Sequence, residues 1–172
     1  MSSGILPSLK QIERHAVRAV LIDDSGSILL LSTRDASNPD FIDSWELPGG
    51  GTHEGEAHAE AIMRELFEET GLKITPQSIR EPQWIRDVHY SYRGERRLQH
   101  EAISVVTLSA CKPDIDYSDR EPFELEDHQE FHWWSVEELT SSAATFYPRN
   151  LARHIESLLR GEHIQDPIEI WD

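Results

Sequence analysis

The chain has 172 residues, 38% of them hydrophobic, which is the size of one domain able to bury a core without staples. Sixteen Lys and Arg stand against thirty-two Asp and Glu, a formal net charge of −16. That balance argues against long nucleic acid and against anionic membrane, both of which reward a basic surface.

Residues 1–12 read as a loose lead-in to a single domain spanning 1–172, with no leader of a basic segment followed by an apolar run. No stretch approaches the length of a membrane span, so the expected location is cytoplasmic. Residues 15–22 form an apolar strand, Asp23-Asp24-Ser25-Gly26 a turn, and residues 27–32 the returning strand of a hairpin. Residues 34–44 are polar, Trp45 to Leu47 is a short segment, and Pro48-Gly49-Gly50-Gly51 breaks regular structure. Residues 57–70 form a strong helix that Gly71 ends. Residues 84–92 and 97–108 are strands joined by an Arg93-Gly94-Glu95 turn, and the apolar run at 105–110 places Cys111, the one cysteine, as a buried thiol. An acidic loop (114–127) precedes a strand at 130–134. Ser135-Val136-Glu137-Glu138 is a capping box that opens a short helix, and residues 148–160 form the last helix, with an apolar stripe suited to the core or to a homodimer contact. Strands and helices interleave without a regular βαβ rhythm, which suits a mixed sheet with helices on its faces.

The 57–70 helix holds the chemistry. At 100° per residue, Glu65, Glu68 and Glu69 fall within an arc of about 100°, and Ala59, Met63, Leu66 and Phe67 fall roughly opposite. One face is therefore expected in the core and the other to present three carboxylates. Like charges at this spacing weaken a helix by about 0.2–0.5 kcal/mol per pair. A hard divalent cation, Mg²⁺ or Mn²⁺, offsets that repulsion and also inverts the local field for a phosphate substrate. A solvated acidic face relieved by Arg64 is the plainer alternative. The triple glycine 49–51 lets backbone approach a ligand closely.

From Gly50, five residues lead to Glu56 and seven more to Arg64, followed by Glu65, Leu66, Phe67, Glu68, Glu69, Thr70, Gly71 and Leu72. This resembles the Nudix box, G-x₅-E-x₇-R-E-U-x-E-E-x-G-U with U aliphatic, at every defined position. Trp45 to Gly51 resembles the family's lead-in, and Trp134 to Leu139 its late strand-to-helix turn, so the likeness covers about residues 15–140. It implies an α+β fold, an α-β-α sandwich around a mixed sheet with a loop-helix-loop metal site. It implies Mg²⁺-dependent hydrolysis of a pyrophosphate bond in a nucleoside diphosphate linked to another moiety, such as a dinucleoside polyphosphate, a nucleotide sugar or a (d)NTP. By the same resemblance Gly49, Glu65, Glu68 and Glu69 hold metal, Arg64 pairs with Glu56, and Glu65 or Glu68 is the general base. A further ligand outside the box is common in the family; Glu130 is the candidate, with Glu101 and His132 as competitors. A nucleotide-sensing regulator on the same fold, without turnover, is the alternative, and the intact box glutamates weigh against it.

Arg86, Arg93, Arg96 and Arg97 form a local basic cluster on the 84–108 hairpin that can clamp phosphates. Tyr90 and Tyr92 lie 18 and 20 residues beyond Leu72, a distance at which some Nudix members that cleave dinucleoside polyphosphates carry a tyrosine. The marks of the ADP-ribose and NADH subfamilies are absent. His89, His100, His128 and His132 lack a zinc spacing and read as hydrogen-bonded or solvated.

Overall fold

The computed structural model describes residues 11–33, 44–116 and 128–171. Along the chain run β1 (Ile12–Ile22), β2 (Ile28–Thr33), β3 (Ser44–Glu46), β4 (Gly49–Gly51), α1 (His58–Thr70), β5 (Trp84–Tyr92), β6 (Glu95–Thr107), β7 (His128–Trp134), α2 (Val136–Ser141), β8 (Phe146–Tyr147), α3 (Leu151–Leu159) and β9 (Ile168–Ile170). The described strands form one mixed sheet in the order β8-β3-β2-β1-β6-β5-β9, with β4 added to β1 and β7 to β2.

β1 is the central strand because its second half is apolar on both faces, with Ala16, Val17, Ala19, Val20 and Leu21 all buried. β6 lies parallel beside it in unbroken register from Ile12↔Arg97 to Ile22↔Thr107. β5 returns antiparallel to β6 through Arg93 and Gly94, both at positive φ, as a two-residue hairpin of this twist requires. Alternate residues then feed two cores. Val20, Ile28, Leu30, Trp84, Ile103 and Val105 pack under Leu139 of α2 and Leu151, Ile155 and Leu158 of α3. Val17, Ala19, Leu21, Leu29 and Val106 pack under Ala61, Ile62 and Leu66 of α1. Helices thus cover both faces of the sheet, and each fully buried Leu or Ile contributes about 1.5–3 kcal/mol. No helix among the described residues is long and apolar enough to cross a membrane.

Several expectations need correction. Gly49–Gly51 is a strand, paired antiparallel as Ala16↔Gly51, Val17↔Gly50 and Arg18↔Gly49, because glycine lacks the side chain that would obstruct this close approach. β8 and β9 are two and three residues long, too short to show a period. The last helix starts at Leu151, three residues after Pro148. Cys111 is exposed, because the chain leaves β6 at Thr107 and turns outward before reaching it. Residues 1–10 of the lead-in and 117–127 of the acidic loop lie outside the described residues.

Candidate active site

The buried side of α1 is rotated from the face its apolar residues suggest. Ala61, Ile62, Glu65, Leu66, Glu69 and Thr70 are buried, whereas Phe67 is 39% exposed. Glu65 and Glu69 retain only 5% and 1% of their exposure, so two of the three carboxylates point inward beside the core. The rotation, about 100° on a helical wheel, follows from what lies beneath. A β-carbon on Gly50 would sit 2.6 Å from the Glu65 carboxylate, and one on Gly49 would sit 2.1 Å from the Val17 carbonyl oxygen. The Gly49 N–H donates to Glu69 Oε2 at 2.8 Å. Bare backbone makes room for the acids and supplies a donor to one of them.

Arg64 ties the loop to the helix. Its Nε donates to Glu56 Oε1 at 2.7 Å and one terminal nitrogen to Glu56 Oε2 at 2.9 Å and to the Gly51 carbonyl at 2.9 Å. The other terminal nitrogen donates to Glu65 Oε1 at 2.7 Å and reaches Glu68 Oε2 at 3.4 Å. The Arg64 hydrogen bonds hold the Glu56 carboxyl at a pKa of about 2, and the same acids raise that of Arg64. Glu56 Oε2 also accepts the His53 N–H at 2.8 Å, which fixes the turn before the helix. Ala57 has no side-chain acceptor for the helix start; the Glu60 carboxylate instead takes the Ala57 N–H at 3.1 Å. Gly71, at φ 72°, closes the other end by donating to the Phe67 carbonyl at 2.8 Å.

A second set of charges is buried on the sheet face opposite α1. Glu101 accepts from Arg86 Nε at 2.7 Å, Arg18 Nε at 3.2 Å, Gln99 at 2.6 Å and the Tyr147 hydroxyl at 2.8 Å. Arg86 also donates to Glu169 Oε2 at 2.6 Å, and the Tyr147 ring lies 5.0 Å from both guanidinium carbons. Burial pushes the Glu101 carboxyl up, but Arg18 and Arg86 outweigh it and hold it below the ordinary range. Burial beside Glu101 raises the Tyr147 phenol. Arg18 links this network to the glycine bend, since it donates to the Leu47 carbonyl at 2.9 Å.

The other candidates disperse. Glu130 is exposed on β7 opposite Ser32. His132 is exposed, 3.6 Å from Glu138, with its ring against Trp45 and Trp134. Among the described residues no group of three His, Cys, Asp or Glu side chains converges closely enough to hold an ion. The arginines of the hairpin do not act as one cluster. Arg86 is 2% exposed and turned inward, Arg93 stands at the turn over Tyr92, and Arg97 stacks on Tyr92 while donating to Glu95 at 2.9 Å. Tyr90 donates to Gln99 at 3.3 Å. Arg18, Glu169 and Tyr147 escape a reading by motif because they come from β1, β9 and β8 and meet only in the folded sheet.

A family model described as NUDIX domain matches residues 13–155. The chain is 25% identical over 159 residues to an RNA pyrophosphohydrolase of Wolbachia pipientis, covering 86% of this chain and 92% of that protein. A local stretch of 61 residues is 41% identical to an m7GpppN-mRNA hydrolase of Danio rerio, 36% of this chain and 20% of that one. Among solved structures, the dihydroneopterin triphosphate pyrophosphohydrolase of E. coli superimposes with a TM-score of 0.63 at 17% identity, covering 88% of this chain and 99% of that one.

Proposed function

The chain belongs to the Nudix family of hydrolases, and from that premise we propose that it cleaves the pyrophosphate bond of a nucleoside diphosphate linked to another moiety, with Mg²⁺ or Mn²⁺. The observation that carries this reading is the inward placement of Glu65 and Glu69 against the glycine bend, beside Glu68, with Arg64 as their neighbouring cation. Burying carboxylates is costly unless counter-charge and hydrogen bonds compensate. Glu65, Glu68 and Glu69 offer three hard oxygen donors within about one helical turn, a set that suits a divalent cation once their side chains turn toward a common point.

Glu65, Glu68, Glu69 and the Gly49 carbonyl would hold that ion, while Glu130 stands on the face of β7 that carries Trp134, away from α1. When bound, the ion neutralises phosphate charge and makes a water more acidic. Arg64 holds Glu65 and Glu68 in register with the loop. Glu68, whose side chain is 32% exposed and whose Arg64 contact is the longest at 3.4 Å, is the better placed of the two base candidates to take a proton from water. Glu65, packed under Gly50, is the better fixed ligand.

The charge of −16 favours a small nucleotide over long nucleic acid. The name of the Wolbachia relative adds an RNA end to the substrates worth testing. The test is incubation with Mg²⁺ and a panel of nucleotide sugars, dinucleoside polyphosphates, (d)NTPs and 5′-triphosphorylated RNA, with products identified. Turnover abolished in Glu69→Gln supports the hydrolase, and tight nucleotide binding without cleavage of any compound favours a sensor.

A further inference from the structure

Gly51 ends β4 without a side chain, and the space above it is taken by Arg14 of β1. The Arg14 terminal nitrogen lies 2.9 Å from where a Gly51 β-carbon would be. Arg14 is half-buried, and its side chain makes no hydrogen bond or ion pair among the described residues, in a chain with twice as many acids as bases. The parallel register sets Arg14 opposite Gln99 and Ile12 opposite Arg97. Arg14 and Arg97 therefore share one sheet face, about 8 Å apart between α-carbons, close enough for two long side chains to meet one ligand. Arg97 donates to Glu95 through one terminal nitrogen at 2.9 Å and keeps a buried Nε without a hydrogen-bond partner. Both arginines line a cleft of about 740 Å³ whose other wall is the loop from Gly51 to Glu56. Of the acids in that cleft, Glu13 is held by His100 at 2.6 Å and Glu56 by Arg64, leaving Glu54 exposed.

We infer that Arg14 and Arg97 form an anion subsite that takes a phosphate of the substrate beyond the bond that is cut. This rests on the hydrolase reading above. Arg14 and Arg97 lie on the sheet face opposite α1, and the cleft reaches the catalytic carboxylates around the end of β4 through Arg64, which bonds two cleft residues, the Gly51 carbonyl and Glu56, as well as Glu65. Guanidinium forks match phosphate oxygens, and the cleft has the volume of a nucleotide-sized group. The phosphate belongs either to a longer polyphosphate chain or to the phosphodiester of a second nucleotide.

The test compares wild type, Arg14→Ala, Arg14→Lys and Arg97→Ala on a dinucleoside diphosphate, a dinucleoside tetraphosphate and a 5′-triphosphorylated dinucleotide. In Arg14→Ala, KM rises about 10-fold or more for at least one of the two longer substrates, while kcat, and KM for the dinucleoside diphosphate, stay within about two-fold. The substrate affected identifies the source of the phosphate, and Arg14→Lys recovers part of the loss. Equal effects on all three substrates, or none, overturn the subsite. Calorimetry with inorganic tripolyphosphate in the absence of divalent ion gives a readout that does not need turnover: binding to wild type that weakens in Arg14→Ala and Arg97→Ala supports it, and unchanged or absent binding overturns it. Should wild type cleave none of the three compounds, the hydrolase reading fails and the tripolyphosphate result still decides the subsite.

Discussion

The Gly49 N–H donates to the Glu69 carboxylate at 2.8 Å across twenty residues of sequence. One residue on, Gly50 offers Glu65 a surface with no β-carbon. The glycine bend is thus the floor on which the helix acids rest. Gly50→Ala brings a methyl to 2.6 Å from Glu65 and pushes that carboxylate out of place, so activity falls sharply while the melting temperature changes modestly. Gly49→Ala meets the Val17 carbonyl at 2.1 Å from a backbone at φ 144°, and costs about 2–4 kcal/mol of stability. Thermal melts and turnover on the same preparations separate the two effects.

Glu65→Gln and Glu68→Gln lower kcat by at least about 10²-fold. They differ in their effect on the apo protein. Glu65 is buried and accepts from Arg64 at 2.7 Å, so its loss of charge alters the melt, whereas Glu68 is partly exposed and its change is close to neutral. Equal melts for the two variants would contradict the packing described for Glu65.

The Glu56–Arg64 pair makes stability depend on acid pH. Its folded pKa, about 2, lies below the ordinary 4.5, so its contribution is fully present above pH 4.5 and is lost as pH falls through about 2. Arg64→Ala removes it. The difference in melting temperature between wild type and Arg64→Ala is therefore constant above about pH 5 and shrinks as the pH is lowered toward 2.

Glu101 is 1% exposed and holds the buried guanidinium of Arg86 and the partly buried one of Arg18. Glu101→Ala leaves Arg18 and Arg86 facing each other across Tyr147 and costs about 3–5 kcal/mol. Glu101→Gln keeps an acceptor and costs less. Urea denaturation measures both, and a loss under 1 kcal/mol for the alanine variant would contradict the network.

The loop-helix unit was legible because its information is local. Glu56, Arg64, Glu65, Glu68 and Glu69 stand at fixed offsets on one loop and one helix, and Gly71 marks the end. Helix periodicity alone put the acids opposite the core, because a wheel counts apolar residues and cannot know that the neighbouring strand is glycine. β4 escaped notice for the same reason: three glycines carry no strand propensity, and their pairing comes from β1. By sequence Arg86 joins the hairpin's phosphate-clamping cluster, because the acids that pair with it, Glu101 and Glu169, lie 15 and 83 residues away.

Hydrolysis by this site depends most on Glu65, Glu68 and Glu69 gathering a divalent cation at the glycine bend. Mn²⁺ titration, followed by calorimetry with and without nucleotide, tests this directly on wild type and on the Glu65→Gln, Glu69→Gln double variant. Wild type takes up the ion, more tightly with nucleotide present, and the variant loses at least about ten-fold in affinity while keeping its fold. Equal uptake by both proteins, or none by wild type even with nucleotide, would contradict it.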